Sequence, residues 1–203
     1  MTEEPEGPAP TFLLGLPLAL EAYATARRAH EGQRRESDAA RFIVHPLEVA
    51  ALLHNAGHRE PLVAAGILHD SAEQTDLTVD WIRDSFGDEV ADIVAAMTED
   101  SSIADFAARK RSLRQQIADH GSDATAVYAA DKVAKVRELR SRAARGENVL
   151  DPSNRPAQEK LDHYLQSLFM LEQIMPEHPL VRQLRFELEM LLELPPRPDL
   201  LAR

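Results

Sequence analysis

LVAAGILHDSAEQT, residues 62–75, opens as a run of small and aliphatic residues and turns without warning into His69, Asp70, Glu73 and Gln74. A run of this kind, begun by Pro61, reads as a buried helix. Polar groups at its buried end need partners, because a carboxylate taken out of water and left unpaired costs several kcal/mol or more. A bound cation would meet that need, and so would a salt bridge to Lys or Arg. On a helix His69 and Asp70 diverge by about 100°. Glu73 follows His69 by one turn and Gln74 follows Asp70 by one turn, so all four crowd one broad face. A helix end turning polar as it meets solvent is the competing reading.

Helical spacing continues on both sides. PLALEAYATARRAHE (17–31) places Leu18, Ala22 and Ala26 on one stripe, and Gly32 stops it. GQRRESDAAR (32–41) is a polar loop, after which Phe42, Ile43 and Val44 return to the core. Pro46 opens a second helix, with His45 at its N-cap or one residue before it; Leu47, Ala50, Ala51 and His54 share a face, and Gly57 ends it. Downstream of residue 75, Thr78 is an N-cap for VDWIRDSF. Residues 88–97 stripe Val90, Ile93, Val94 and Met97, and 106–120 form a polar amphipathic helix rich in Arg and Lys. Longer helices follow over 124–144, 156–175 and 179–194, and PPRP (195–198) ends the last. Strand-like alternation and internal repeats are absent.

The predicted fold class is therefore all-α, a single compact bundle of about nine helices. One domain, 13–195, lies between an acidic, Pro-rich disordered tail over 1–12 and a C-terminal tail over 196–203. The last two helices, carrying Leu168, Phe169, Leu171 and Ile174 and then Leu184, Phe186, Leu188, Leu191 and Leu192, either complete the core or pack a homodimer.

Composition narrows the chemistry. With no cysteine, disulfides, thiolate metal sites and a Cys nucleophile are excluded, so any metal must be held by His, Asp and Glu. That donor set favours Mn, Fe, Mg or a nitrogen-and-oxygen zinc site. A formal net charge of −11 counts against nonspecific nucleic-acid binding but leaves room for a small anion at a locally positive site. No apolar run approaches the ~20 residues that span a bilayer. MTEEPEGPAP lacks the basic flank and cleavage site of a signal peptide, so a cytoplasmic protein without a membrane partner is expected.

Two further residues bear on the partner question. Asp131 lies in ATAVYAADKVAKV, where the residues around it on the helix are small or apolar. It needs either a cation shared with His69 and Asp70 or a basic side chain, with Lys132 and Lys135 close enough to fold back. His45, just before a helix-starting proline, is by itself more readily a capping or packing residue. His30 at the end of the first helix suits an interaction with the helix dipole. His54, His58, His120, His163 and His178 read as surface or packing residues.

In order, GQRR (32–35), FIVHPLEVA (42–50), AGILHD (65–70), FGDEVADIV (86–94), MTED (97–100) and AADK (129–132) resemble the HD phosphohydrolase superfamily. Within it they resemble the hydrolase domain of RelA/SpoT-type enzymes and their small stand-alone relatives, which remove the 3′-pyrophosphate from ppGpp and pppGpp. The resemblance runs from about residue 22 to residue 139. It implies that His45, His69, Asp70 and Asp131 are the metal ligands, with Mn²⁺ the usual ion and Fe²⁺, Zn²⁺ or Mg²⁺ as alternatives. It implies that the ion acidifies a water and polarises a phosphoryl oxygen. It also implies that Glu73 is the first acid of a Glu-Asp pair that handles the attacking water. The second acid is replaced by Gln74, which can hydrogen-bond a water but cannot act as a base at neutral pH.

Arg35 matches an arginine that stacks near the base, Lys132 keeps the basic residue after the last ligand, and Lys135 stands where the family has Asn. Glu36 replaces a residue that is usually basic, and Tyr164 lies near a family tyrosine beside the nucleotide. The expected activity is thus metal-dependent hydrolysis of a phosphorylated nucleotide, (p)ppGpp first, with catalytic Glu73 and Gln74 and substrate contacts from Arg35, Lys132 and Lys135. The alternatives are a nucleotide sensor whose hydrolysis is impaired by Gln74, and an interaction protein whose polar groups are paired internally.

Overall fold

The computed structural model describes residues 9–193, which form an all-α bundle. In chain order the helices are α1 (Pro17–Ala29), α2 (Val44–Asn55), α3 (Glu60–Leu68), α4 (Ser71–Gln74), α5 (Val79–Phe86), α6 (Asp88–Met97), α7 (Phe106–Asp119), α8 (Ser122–Ala144), α9 (Arg155–Ile174) and α10 (Pro179–Leu192). A 3-10 turn, Thr11–Leu13, precedes them and buries Leu13. Residues 1–8 of the expected N-terminal tail, the PPRP stop and the whole 196–203 tail lie outside the described residues. Among the described residues there is no strand; the loop over 32–41 holds one isolated bridge between Arg34 and Arg41.

α3 is the centre of the bundle because every side of it is apolar. Leu62 to Leu68 are all buried, and the helix packs against α1, α2, α6 and α8. Each fully buried Leu or Ile contributes about 1.5–3 kcal/mol, so this short helix is held by its neighbours rather than by its own hydrogen bonds. Gly66 permits a close approach to α2, since a Cβ there would lie 2.5 Å from Leu53 Cδ1. The start of α1 is tied to the same helix: Glu60 Oε1 accepts from the Leu18 and Ala19 N–H groups at 2.5 and 3.2 Å. α8 passes beside α3 and is buried from Ala124 to Ala134, while α10 closes its far side.

Three details depart from the sequence expectation. The helix expected over 61–75 is interrupted at His69–Asp70, and its last turn is α4. The local cause is a side chain: the Gly66 carbonyl, which an unbroken helix would give to the Asp70 N–H, accepts from His69 Nδ1 at 2.8 Å. Second, α2 begins at Val44, so His45 sits inside its first turn rather than at its cap. Pro46 still costs no hydrogen bond, since the first four N–H groups of a helix have no internal partner. Third, α2 buries Val49, Ala50, Leu52 and Leu53, a face rotated from the expected one. The expected cap of α5 is present, with Thr78 Oγ1 accepting from Trp81 N at 3.1 Å.

Candidate metal centre

Three elements far apart in sequence meet at the broken end of α3. α2 brings His45 from its first turn, the α3–α4 junction brings His69 and Asp70, and the middle of α8 brings Asp131. His45 Nε2 lies 3.2 Å from Asp131 Oδ1 and 3.5 Å from Asp70 Oδ2. His69 Nε2 lies 3.3 Å from Asp70 Oδ1 and 3.6 Å from Asp131 Oδ1. His69 and Asp70 both keep right-handed helical backbone angles, and their side chains reach a common region although the residues are adjacent.

Three of the four, His45, His69 and Asp131, fit a divalent ion on grounds of their own, and Asp70 lies beside them. His45 Nε2, His69 Nε2, Asp70 Oδ2 and Asp131 Oδ1 are all buried without a hydrogen-bond partner. Buried polar atoms are rarely left that way, and here those of His45, His69 and Asp131 converge, with Asp70 Oδ2 3.5 Å from His45 Nε2. Donors bound at about 2.0–2.2 Å to one ion lie roughly 3 Å or more apart, which matches these spacings. His45, His69 and Asp131 offer ligand atoms within 4.8 Å of one another, a His/His/Asp cluster able to coordinate a divalent metal. The His69 Nδ1–H donates to Gly66 O, which leaves the Nε2 lone pair facing the cluster.

The charges respond to one another. Burial lowers the pKa of His45 and keeps it neutral. Burial also pulls His69 down, but the carboxylates of Asp70 and Asp131 outweigh it and its pKa is raised. Burial works against the Asp70 carboxylate, yet His69, Lys135 and His45 bring its pKa down to about 2. Asp131 is held well below the usual carboxylate range, chiefly by Lys132 and Lys135 against the cost of burial.

Both partners that the sequence offered Asp131 are therefore used. Lys132 Nζ donates to Oδ2 at 2.6 Å, while Oδ1, 3.5 Å from Lys135 Nζ, faces the two histidines. Lys132 is itself buried, with its ammonium 4.4 Å from the centre of the Tyr128 ring.

Two cavities flank the cluster. The inner one, about 210 Å³, is lined by His69, Asp70, Glu73, Gln74, Asp131, Lys132 and Lys135, and continues to Glu99, Lys110, Lys160, His163 and Tyr164. The outer one, about 790 Å³, is lined by His45, Gln74, Lys135 and Tyr164 together with Arg34, Arg35, Glu36, Glu138, Arg142 and Lys160. Glu73 has its pKa raised by burial and by the charges of Glu99 and Asp70, and its Oε2 accepts from Glu99 N at 3.3 Å. Gln74 borders both cavities, and its backbone carbonyl is tethered by Gln33 Nε2 at 2.8 Å. Arg35 pairs with Asp38 and lies 3.9 Å from Glu138, so its guanidinium is fixed at the outer wall.

Several residues were invisible as site members. Lys110 and Glu99 form an ion pair at the inner wall, and His163, read from the sequence as surface or packing, is buried there. The only sequence signal was the basic character of 106–120; which face meets the site depends on packing. His30 also differs from expectation. Burial lowers its pKa, so it is neutral and does not serve the helix dipole as a cation. Its ring instead joins Gln33, at 2.7 Å, to Ser71 Oγ, at 3.4 Å, behind α4.

Residues 22–147 match the HD domain family. The probable guanosine-3′,5′-bis(diphosphate) 3′-pyrophosphohydrolase of Synechocystis is 40% identical over 82 residues, which is 40% of this chain and 11% of that protein's length. The human guanosine-3′,5′-bis(diphosphate) 3′-pyrophosphohydrolase MESH1 is 37% identical over 123 residues, 59% of this chain and 68% of that one. A solved structure of a metazoan ortholog of SpoT that hydrolyzes ppGpp superposes with a TM-score of 0.71 at 20% identity, over 92% of this chain and 97% of the other, and so shares the fold. The chain belongs to the HD-domain family of metal-dependent phosphohydrolases and is related to the RelA/SpoT-type and MESH1-like (p)ppGpp hydrolases.

Proposed function

We propose that this protein hydrolyses a phosphate ester of a nucleotide, (p)ppGpp being the first candidate, with a divalent ion, Mn²⁺ by preference, held by His45, His69, Asp70 and Asp131. The observation that supports it most is the gathering of buried, unpartnered donor atoms of His45, His69, Asp70 and Asp131 between a charge-balanced inner cavity and an outer cavity with basic walls. The ion, when bound, supplies Lewis acidity to a phosphoryl oxygen and makes a water easier to deprotonate. The chain supplies the rest. Glu73, with its raised pKa, accepts the proton of the attacking water. Gln74 orients that water by hydrogen bonds without taking its proton.

Lys132 keeps Asp131 ionised and in place. Arg35 and Lys135 meet the nucleotide from the outer cavity, whose volume of about 790 Å³ accommodates a nucleotide-sized ligand. The names of the related proteins support a guanosine 3′-pyrophosphate ester as the first substrate to try. Glu36 and Lys135 at the outer wall alter the charge pattern that the resemblance implies, and they favour a panel over a single compound.

The test is turnover of ppGpp, pppGpp and a panel of 3′- and 5′-phosphorylated nucleotides with Mn²⁺, compared with the Asp131→Asn variant. Release of pyrophosphate or phosphate by the native chain alone is the expected result. No turnover of any ester by metal-loaded protein would overturn it. Gln74 favours one second reading, a nucleotide sensor with weak hydrolysis; tight nucleotide binding without turnover, and turnover gained in Gln74→Asp, would select it.

A further inference from the structure

His163, on α9, lines the inner cavity together with His69, Asp70 and Asp131. The ring is buried, 5% exposed, and its two nitrogens differ. Nδ1 is 2.8 Å from Arg114 Nη1. A guanidinium only donates, so Nδ1 must accept, and the single proton of a neutral imidazole is then forced onto Nε2. Arg114 is fixed in turn by a bond to the Gln166 side-chain oxygen. Burial first, then Lys132, Lys110 and Arg114, push the His163 pKa down to about 2, so a second proton is not taken up. The result is a neutral ring with a rigid N–H. That Nε2 has no partner in the protein.

The walls around it say what would pair with this donor. An N–H offers no lone pair, so His163 is not a metal ligand. Lys110 and Lys160 share the cavity, which carries lysines and carboxylates in equal number. A divalent ion at the cluster would tip that balance positive and leave the cavity suited to an anion. Its volume of about 210 Å³ fits a phosphate or diphosphate group and not a whole nucleotide. We propose that the inner cavity is an anion subsite in which the His163 Nε2–H donates to a terminal phosphate oxygen, of the bound substrate tail or of the inorganic pyrophosphate it releases. This inference rests on the phosphohydrolase reading and adds the direction of the substrate: base toward Arg35, phosphate tail toward His163.

Two measurements on the full chain with saturating Mg²⁺ test it. Long-range proton–nitrogen spectra of the imidazoles should find His163 protonated on Nε2, with that signal moving when inorganic pyrophosphate is added. Calorimetry should find pyrophosphate bound roughly ten- to a hundredfold more weakly by His163→Leu, the loss expected for one hydrogen bond to a charged group. His163→Gln, which keeps a side-chain N–H, should recover part of it, and the Mg²⁺ stoichiometry should be the same in all three proteins. Inorganic phosphate and pyrophosphate added separately distinguish a one-group from a two-group subsite.

A proton on Nδ1, a His163 signal indifferent to both anions, or equal pyrophosphate affinity in His163→Leu would overturn the proposal. The spectra of the native chain decide even if the variants fold poorly. Nucleotide turnover with an indifferent His163 would sink the subsite and leave the activity standing. Pyrophosphate binding through His163 without turnover of any ester would do the reverse.

Discussion

Asp131 uses its two oxygens differently: Oδ2 accepts from Lys132, and Oδ1, without a hydrogen bond, faces the histidine pair. The same residues set a dependence on pH. In metal-free protein the His69 pKa is raised above 6.5, so its contribution to stability is complete below that pH and is lost as pH rises through the raised value. Asp70 has the opposite sign: its contribution is present above 3.8 and is lost as pH falls through about 2. A divalent ion needs the His69 Nε2 lone pair and competes with the proton, so the gain in Tm on adding Mn²⁺ should grow with pH. Melts with and without Mn²⁺ between about pH 5 and about pH 8 check this; a gain that is flat with pH would contradict it. Next to the ligands, Glu73→Gln should lower kcat by about 10²–10⁴, the usual worth of a general base. Gln74→Asp should raise it by about tenfold or more, read under the same saturating substrate.

At the scale of elements, the junction of α3 and α4 does more than connect. It holds His69 and Asp70, both still at helical backbone angles, where His69 faces Asp131 and Asp70 faces His45. Gly66 sits one turn before, gives its carbonyl to His69 and allows the contact with Leu53 on α2. Gly66→Ala would drive a Cβ into the Leu53 methyl and force that fully buried side chain to repack between the helices that carry His45 and His69. The expected outcome is a loss of about 1–2 kcal/mol in denaturant unfolding together with weaker Mn²⁺ binding. Full Mn²⁺ affinity in a destabilised variant would show that the contact serves the core alone.

Across the whole molecule, the site depends on α8 keeping its place between α2, α3 and α10. Glu187 on α10 is buried and bonds Arg137 and Arg140, one turn apart on α8, with Arg137 Nε at 2.8 Å. Glu187→Gln leaves two arginines with a neutral partner in a partly buried setting. A loss of roughly 2 kcal/mol is expected, less than for a fully buried pair because both arginines reach solvent. Chemical denaturation measures it, and a change within about 0.5 kcal/mol would place the α8–α10 contact on apolar packing alone.

The helices were legible in the sequence because each is written in the spacing of its own neighbours: the apolar run of α3, the Val90–Met97 stripe of α6, the prolines at the starts of α1, α3, α9 and α10. His69, Asp70 and Asp131 stood out as polar residues in apolar helices, the resemblance made them and His45 a ligand set, and their clustering was not readable from any one segment. Tertiary structure alone decided which oxygen of Asp131 is left without a hydrogen bond, where α3 breaks, and that His163 lines the inner cavity with Arg114 on one nitrogen and no hydrogen bond on the other. The reason is physical. Helix formation and amphipathic faces follow from residues three and four apart, whereas the partners of a buried polar atom come from other helices, and a sequence does not state which faces will meet.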